Sequence, residues 1–307
     1  MRKRISKEKR RVQFQRRMFM FTFLALPILS FLIFYVYANF NSIVMAFQRP
    51  GYEGQADRWS MENFIRVKEL FTGDGAGGEL LLALLNTLSL WAAGMLIGLP
   101  LSVLACYFFY VKLPGTKLFR AVMYLPQIIT SSALVVLFKY AVGQGGPLDM
   151  VMSAAGQEYV NPLTSQPAAM LTIIFYCVSF GFGTNIIVLG SAMNSINKEM
   201  IEAARVDGCT WSKELTKIIL PTIWPTVSTI IILSTAGILG STGPILAFTK
   251  GEAGTMTLSF YIYRLVSGVG TGVTDLNLAS AIGITMTLVS LPLVFMVKRV
   301  VYGKEER

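Results

Sequence analysis

NKEMIEAARVDGCTWSKELTKIILPTIWP, residues 197–225, is a polar, charged interlude set between two long apolar runs. Asn197 is a good N-cap, because its side-chain oxygen can accept from an unpaired N–H of the first helical turn. Glu199 and Glu202 complement the positive end of the helix that follows. Met200, Ile201, Ala203, Ala204 and Val206 make that helix compact, with small residues on one side. Gly208 stops it, since glycine enters the left-handed geometry of a helix end without a Cβ penalty. Thr210 then caps a second helix through Trp211, Leu215, Ile218 and Ile219, which Pro221 separates from the apolar run beyond. The reading is a helix-turn-helix elbow in which Ala203 and Ala204 permit close approach and Glu202 offers a charge to a partner. Taken alone, these residues also suit an ordinary amphipathic connector.

The flanking runs set the solvent. Of 307 residues, 53% are hydrophobic and 14% charged, with mean hydropathy +0.57, whereas soluble domains carry roughly 25% charged residues. Stretches free of Asp, Glu, Lys and Arg cover 18–48, 80–111, 121–138, 159–197, 218–249 and 276–297, and a membrane helix needs about 20 apolar residues. The expected fold is an all-α membrane protein of six spans, at 18–47, 80–111, 118–142, 168–194, 221–248 and 274–298. A basic leader (1–17), an external loop (48–79), the polar connector (195–220) and a tail (299–307) complete the chain, with 80–301 as its core. The first apolar stretch far exceeds the roughly 7–15 residues of a signal core and no Ala-x-Ala site follows, so it is expected to be retained.

Basic residues orient these spans. Nine lie up to Arg17, three at Lys112, Lys117 and Arg120, four between 194 and 220 and four from Lys298 onward, against six on the other side and Lys139 near a boundary. Both termini are therefore expected in the cytoplasm. The leader RKRISKEKRR suits topology and anionic lipid better than a nucleic-acid arm, so membrane lipid and no nucleic acid are the expected contacts.

Several chemistries drop out. The chain has no His, which removes His-based metal sites, proton relays and the Ser-His-Asp triad. Cys106, Cys177 and Cys209 lie far apart with no Cys-x-x-Cys pair. No phosphate-cradling glycine loop is present, so any ATP must be bound by another chain. Polar residues inside spans are the candidates for a solute path: Gln127, Thr130, Ser131 and Ser132, then Tyr176, Ser179, Thr184 and Asn185, then Ser234, Thr235, Ser241 and Thr242. Asn185 and Tyr176 lead this set, with Gln127, Ser131, Ser179 and Thr235 beside them. The lack of acidic residues within the spans suits a neutral solute.

In the external loop, Trp59, Phe64, Val67, Leu70 and Phe71 recur at helical spacing after Ser60, which predicts a short amphipathic helix at the interface or a docking surface. Pro225, Pro244, Gly237, Gly240 and Gly243 predict a fifth span whose ends kink or unwind. Ala279, Ser280, Ala281 and Gly283 predict close helix packing in the sixth.

The residues of the elbow resemble a family signature. Glu202-Ala203-Ala204, Asp207-Gly208, Ile218, Leu220-Pro221 and Pro225 at this spacing are similar to the cytoplasmic EAA loop of permease subunits of binding-protein-dependent ABC importers. The resemblance covers most of the chain and points to the carbohydrate, maltose-type branch: WSMENFIRVKELF followed by Asn86-Thr87, FTKGEAGTMTLSFYIYR, and LASAIG each resemble segments of that branch. Departures occur at Cys209 where Ala is usual, Leu215 for Phe, Asn197 for Pro, and Gly251-Glu252-Ala253 for Gly-Gly-Pro.

What this resemblance implies is a type I importer permease fold in a bacterial cell (plasma or inner) membrane, with the elbow as coupling helix between spans four and five. Partners would be a second related permease forming a heterodimer, two cytoplasmic P-loop ATPases holding ATP and Mg, and an extracellular or lipid-anchored solute-binding protein. The chain itself would be no enzyme and hold no cofactor or metal. Glu202, Ala203, Ala204, Asp207, Gly208, Ile218, Leu220 and Pro221 would couple it to the ATPase. Uptake of a sugar or oligosaccharide by alternating access is the implied function, a peptide or amino-acid permease the first alternative. A secondary carrier is the alternative from another class, but such carriers bury ionisable groups for ion coupling, and apart from Lys139 near an end these spans hold none.

Overall fold

The computed structural model describes residues 2–49, 58–73, 78–181, 183–240, 242–270 and 272–303, with side chains from residue 14 onward. Ser241, the side chains of most of the basic leader, loop positions 50–57 and 74–77, and tail residues 304–307 lie outside the described residues. Along the chain run α1 (Phe14–Ala46), a two-stranded ribbon of β1 (Gln48–Arg49) and β2 (Arg58–Trp59), α2 (Glu62–Thr72), α3 (Glu79–Val111), α4 (Thr116–Ile128), α5 (Ser131–Ala141) and α6 (Pro147–Ala154). Then follow α7 (Ala168–Asn194), α8 (Lys198–Val206), α9 (Trp211–Thr222), α10 (Trp224–Ala236), α11 (Ile245–Phe248), α12 (Leu258–Ser267) and α13 (Leu276–Tyr302). Among the described residues four helices, α1, α3, α7 and α13, are each long and apolar enough to cross a membrane, and the bent pairs α4–α5 and α9–α10 raise the number to as many as six.

The chain divides into two compact units, 1–67 with 275–284, and 68–274 with 285–307. In the first, α1 leaves its large apolar side chains exposed nearly all round, which suits contact with lipid rather than with a protein core. Its C-terminal end is tied down by polar contacts: buried Asn63 donates to the carbonyls of Ala46 (3.0 Å) and Gln48 (2.9 Å), and Asn277 donates to Gln48 as well (2.9 Å). Ser60 Oγ accepts from Glu62 N at 3.1 Å and caps α2, and Arg66 pairs with Asp275 at 2.8 Å.

In the second unit α3 and α7 pack around Cys106, Ile186, Leu189 and Met193, a core that extends to Ile201, Leu215 and Ile219 of the elbow. A second cluster centres on Phe138, Tyr176, Phe180 and Phe248, whose rings lie 5.0–6.1 Å apart. Asn86 Nδ2 donates to Gly254 O (2.7 Å) and Met256 O (2.8 Å), and Leu258 N donates to Thr87 Oγ1 (2.9 Å), fastening the loop before α12 to α3.

Two of the expected spans are broken. Over 118–142 the structure has α4 and α5 meeting at 105°. Pro126 removes a ladder donor, Ile129 and Thr130 turn extended at ψ 138° and 139°, and α5 restarts on Thr130, as hydroxyl residues favour helix starts over interiors. Over 221–248 the helix ends at Ala236, and a stretch with Gly237, Gly240 and Gly243 (φ +54°) leads to the four-residue α11 behind Pro244. The sixth helix keeps its path past Pro292 to Tyr302.

Candidate solute cavity and coupling segment

Asn197 Oδ1 accepts from Glu199 N at 3.0 Å and starts α8. At its other end Gly208 takes φ +78°, with Gly208 N bonded to Arg205 O (3.1 Å) and Cys209 N to Ala204 O (3.0 Å), so the last carbonyls are satisfied within the turn. Thr210 stands at the N-cap of α9 in extended geometry, but its hydroxyl makes no cap bond; its carbonyl accepts from Glu214 N instead (2.8 Å). The break before α10 falls at Ile223 rather than at Pro221, because Pro225 in the first turn of α10 cannot supply the N–H that a continuous helix would need there. The two helix axes differ by 68°.

The inner side of the elbow is anchored and the outer side is not. Ile201, Leu215 and Ile219 are buried, and Ile218 and Leu220 pack against the same core. Glu214, 3% exposed in its side chain, accepts two hydrogen bonds from Arg205, Nε at 2.8 Å and Nη2 at 2.9 Å, and so ties α8 to α9. That bidentate bond holds the Arg205 guanidinium above its already high ordinary pKa, against the opposing pull of desolvation. Outward, Glu202, Ala203, Asp207 and Gly208 are exposed and Ala204 is half-buried. Val206 is 88% exposed and Trp211 68%, so the elbow exposes charge, small residues and bare apolar surface together. Pro221 is exposed before the bend. The expected coupling residues thus separate into an outer face from 202 to 208 and a packed segment at Ile218 and Leu220, just before the bend at Ile223.

The solute-path candidates divide as well. Asn185 lines a cavity of about 600 Å³ with Thr184, Thr226, Thr229, Leu233 and Ser234. Ser234 also lines a second cavity of about 310 Å³, formed with Thr87, Trp91, Cys177, Gly237 and Thr257. Gln127 on α4 donates to Phe180 O (3.2 Å) and accepts from Thr184 Oγ1 (3.3 Å). Tyr176 sits in the aromatic cluster, Ser179 is half-buried on α7, and Ser131 is exposed at the start of α5. Thr235 is buried with its hydroxyl turned back onto Ile231 O at 2.7 Å, inside its own helix.

Trp91 and Thr257 escaped the sequence reading. Trp91 Nε1 and Thr257 Oγ1 are buried without a hydrogen-bond partner among the described residues, and both residues line the 310 Å³ cavity. An unpaired buried donor costs about 1–3 kcal/mol, so two lining one cavity mark a place suited to a polar guest. The available signal was a tryptophan within an apolar span, whose indole N–H needs a partner there.

Residues 5–303 match the family described as "Binding-protein-dependent transport system inner membrane component". The chain belongs to this family. The probable ABC transporter permease protein YesP of Bacillus subtilis (strain 168) is 27% identical over 260 residues, 80% of this chain and 79% of YesP. The multiple sugar-binding transport system permease protein MsmF of Streptococcus mutans serotype c is 25% identical over 240 residues, 78% of this chain and 80% of MsmF. A solved chain of a bacterial ABC transporter involved in the import of the acidic polysaccharide alginate superposes with a TM-score of 0.78 at 24% identity, covering 94% of this chain and 96% of that one. The fold is that of an ABC importer permease, and the chain is an inner-membrane transport component, a permease rather than an enzyme.

Proposed function

We propose that this permease takes up a sugar or oligosaccharide delivered by an external binding protein, free or lipid-anchored, and that ATP is hydrolysed, with Mg, on two separate P-loop ATPase subunits. The observation that carries the reading is the family match over nearly the whole chain, joined to a cavity whose lining, among the described residues, holds hydroxyls and an indole but no charged side chain. Such a lining suits an uncharged, hydroxyl-rich guest. The description of MsmF as part of a multiple sugar-binding transport system agrees with it. On this reading Ser234, Trp91, Thr257 and Asn185 contact solute, with Gln127 and Tyr176 shaping the path. A second related permease completes the channel as a heterodimer, and both termini face the cytoplasm.

The exposed face from Glu202 to Gly208 docks in a cleft of the ATPase. Glu202 supplies a charge for a basic partner there, and the Gly208 turn sets the angle. Ile218, Leu220 and Pro221, just before the bend at Ile223, pass the displacement to α10. The test is reconstitution of the purified transporter in liposomes with its binding protein, following accumulation of labelled sugar with and without ATP. Glu202→Lys is expected to leave assembly intact and cut ATP-driven uptake at least about tenfold, the loss of roughly 1.4 kcal/mol of coupling. Normal uptake in that variant overturns the elbow's role, and uptake that persists without the ATPase overturns the importer.

A further inference from the structure

At the turn between α3 and α4, two cavities meet away from the solute site. The larger, about 740 Å³, is lined by Lys112, Lys117 and Arg120 together with Phe109, Tyr110 and Asn194. The smaller, about 240 Å³, shares Phe109, Tyr110, Arg120 and Asn194 with it and runs on past Tyr124, Ile186 and Ile187. We propose that this continuous cleft binds one phospholipid with an anionic headgroup, its phosphate held by Lys112, Lys117 and Arg120 and an acyl chain laid along Tyr124, Ile186 and Ile187.

Charge is the first ground. Three cations line the larger cavity with no carboxylate among its lining residues, and none of the three forms an ion pair among the described residues. The guanidinium of Arg120 lies over the ring of Phe109, 5.1 Å from its centroid. That stack fixes one face of the group and leaves its N–H edge to meet a phosphate in the fork geometry arginine favours.

Surroundings are the second ground. Leu113, which lines the larger cavity, and Ile187 of α7, which lines the smaller, are large apolar side chains left exposed, so the basic mouth borders apolar surface suited to lipid. A polar head with an apolar tail matches such a border, whereas a free phosphate would leave the inner part of the cleft without a partner. Basic pockets between spans near a membrane surface take lipid headgroups by this chemistry. Asn194 ends α7 three residues before Asn197, so the lipid would sit against the root of the elbow.

The test is native mass spectrometry of the whole transporter purified in mild detergent, titrated with short-chain phosphatidylglycerol or phosphatidylcholine. One phosphatidylglycerol should bind per chain at least about tenfold more tightly than phosphatidylcholine. Lys112→Gly, Lys117→Gln and Arg120→Gln should each weaken it about fivefold, about 1 kcal/mol for a cation beside an anionic surface. Lys112 has φ 56°, a left-handed conformation that glycine adopts without strain, so Lys112→Gly removes the charge and keeps the fold. Ile187→Trp fills the apolar groove and should weaken lipid binding without changing any charge. Equal retention of the two lipids, or unchanged affinity in all these variants, overturns the proposal. Displacement of the lipid by millimolar inorganic phosphate also overturns it, in favour of a phosphate site. Variants that keep the lipid but lose their co-purifying subunits would make the cleft a protein-docking face and overturn it too.

Discussion

Replacing Arg205 with Met leaves the Glu214 carboxylate, 3% exposed, without its two hydrogen bonds of 2.8 and 2.9 Å. Removing one partner of a fully buried pair costs about 3–5 kcal/mol. Arg205 is 47% exposed, so water reaches part of the site and a loss of about 2 kcal/mol is the better expectation. Glu214→Leu works differently: the arginine swings into water and a leucine joins the apolar neighbours Leu215 and Ile219, so its cost should stay under about 1 kcal/mol. The double substitution should lie close to the parent. Amide hydrogen exchange across residues 198–213 reads this directly, because 2 kcal/mol of local opening is about a thirtyfold drop in protection. Arg205 is held above its ordinary pKa; the stability from a raised base is present below its unfolded pKa and lost only as pH rises through the folded one. Protection should therefore not change between about pH 7 and pH 10. Equal losses from the two single substitutions, or none from Arg205→Met, would mean that the pair does not hold α8 to α9.

Four further substitutions probe the other parts. Thr257→Val removes one unpartnered donor at nearly constant volume, and stability should hold or rise by about 1 kcal/mol; Trp91→Phe removes the other but leaves space where part of the indole stood, so its gain and its cavity cost should offset to within about 1 kcal/mol. In both the uptake KM for the sugar should rise several-fold, and a KM unchanged in both would exclude these residues from the solute path. Asn86→Ala loses the bonds to Gly254 O and Met256 O, about 2 kcal/mol at roughly 1 kcal/mol each, to be read as faster proteolysis of the loop before α12; an unchanged cleavage rate would show that the loop is held elsewhere. At Gly208 a Cβ would meet no atom within 4 Å, with φ at +78°, so Gly208→Ala should cost only the left-handed penalty of about 1–2 kcal/mol in unfolding. A fall in uptake far beyond what that destabilisation explains would locate the penalty at the docked partner, and parallel small losses would deny the turn a role in docking.

Local rules made part of this molecule readable in advance and left the rest hidden. Asn197 and Gly208 act through their own backbone neighbourhoods, so the start of α8 and the left-handed turn after it follow from residue type. The amphipathic helix after Ser60 is of the same kind. Thr235 is a candidate from sequence because it is polar within a span, and its hydroxyl is spent on the preceding turn, an outcome no spacing pattern distinguishes from a ligand. Thr130 likewise falls within an apolar run long enough for one continuous span, whereas the chain turns by 105° beside it; length and apolarity measure how much helix there is, not where its axis changes. Trp91, Thr257 and Ser234 come from segments up to 166 positions apart, and only tertiary packing brings them to one cavity.

The geometry also limits how motion at the elbow can reach the solute. Ser234 lines both cavities and lies on α10, ten residues beyond Trp224, a helical distance of about 15 Å at 1.5 Å per residue. A tilt of about 10° at the Ile223 bend would therefore carry Ser234 sideways by roughly 2–3 Å, close to the length of a hydrogen bond. No extended chain of coupled residues is required for this, since a helix with its backbone bonds intact moves as one body. What it does require is that the elbow not absorb the displacement, and the Arg205–Glu214 pair with buried Ile201, Leu215 and Ile219 is what stiffens it. Loosening that pair should then weaken the coupling of ATP hydrolysis to uptake while leaving solute affinity unchanged, a split that separates a lever from a binding residue.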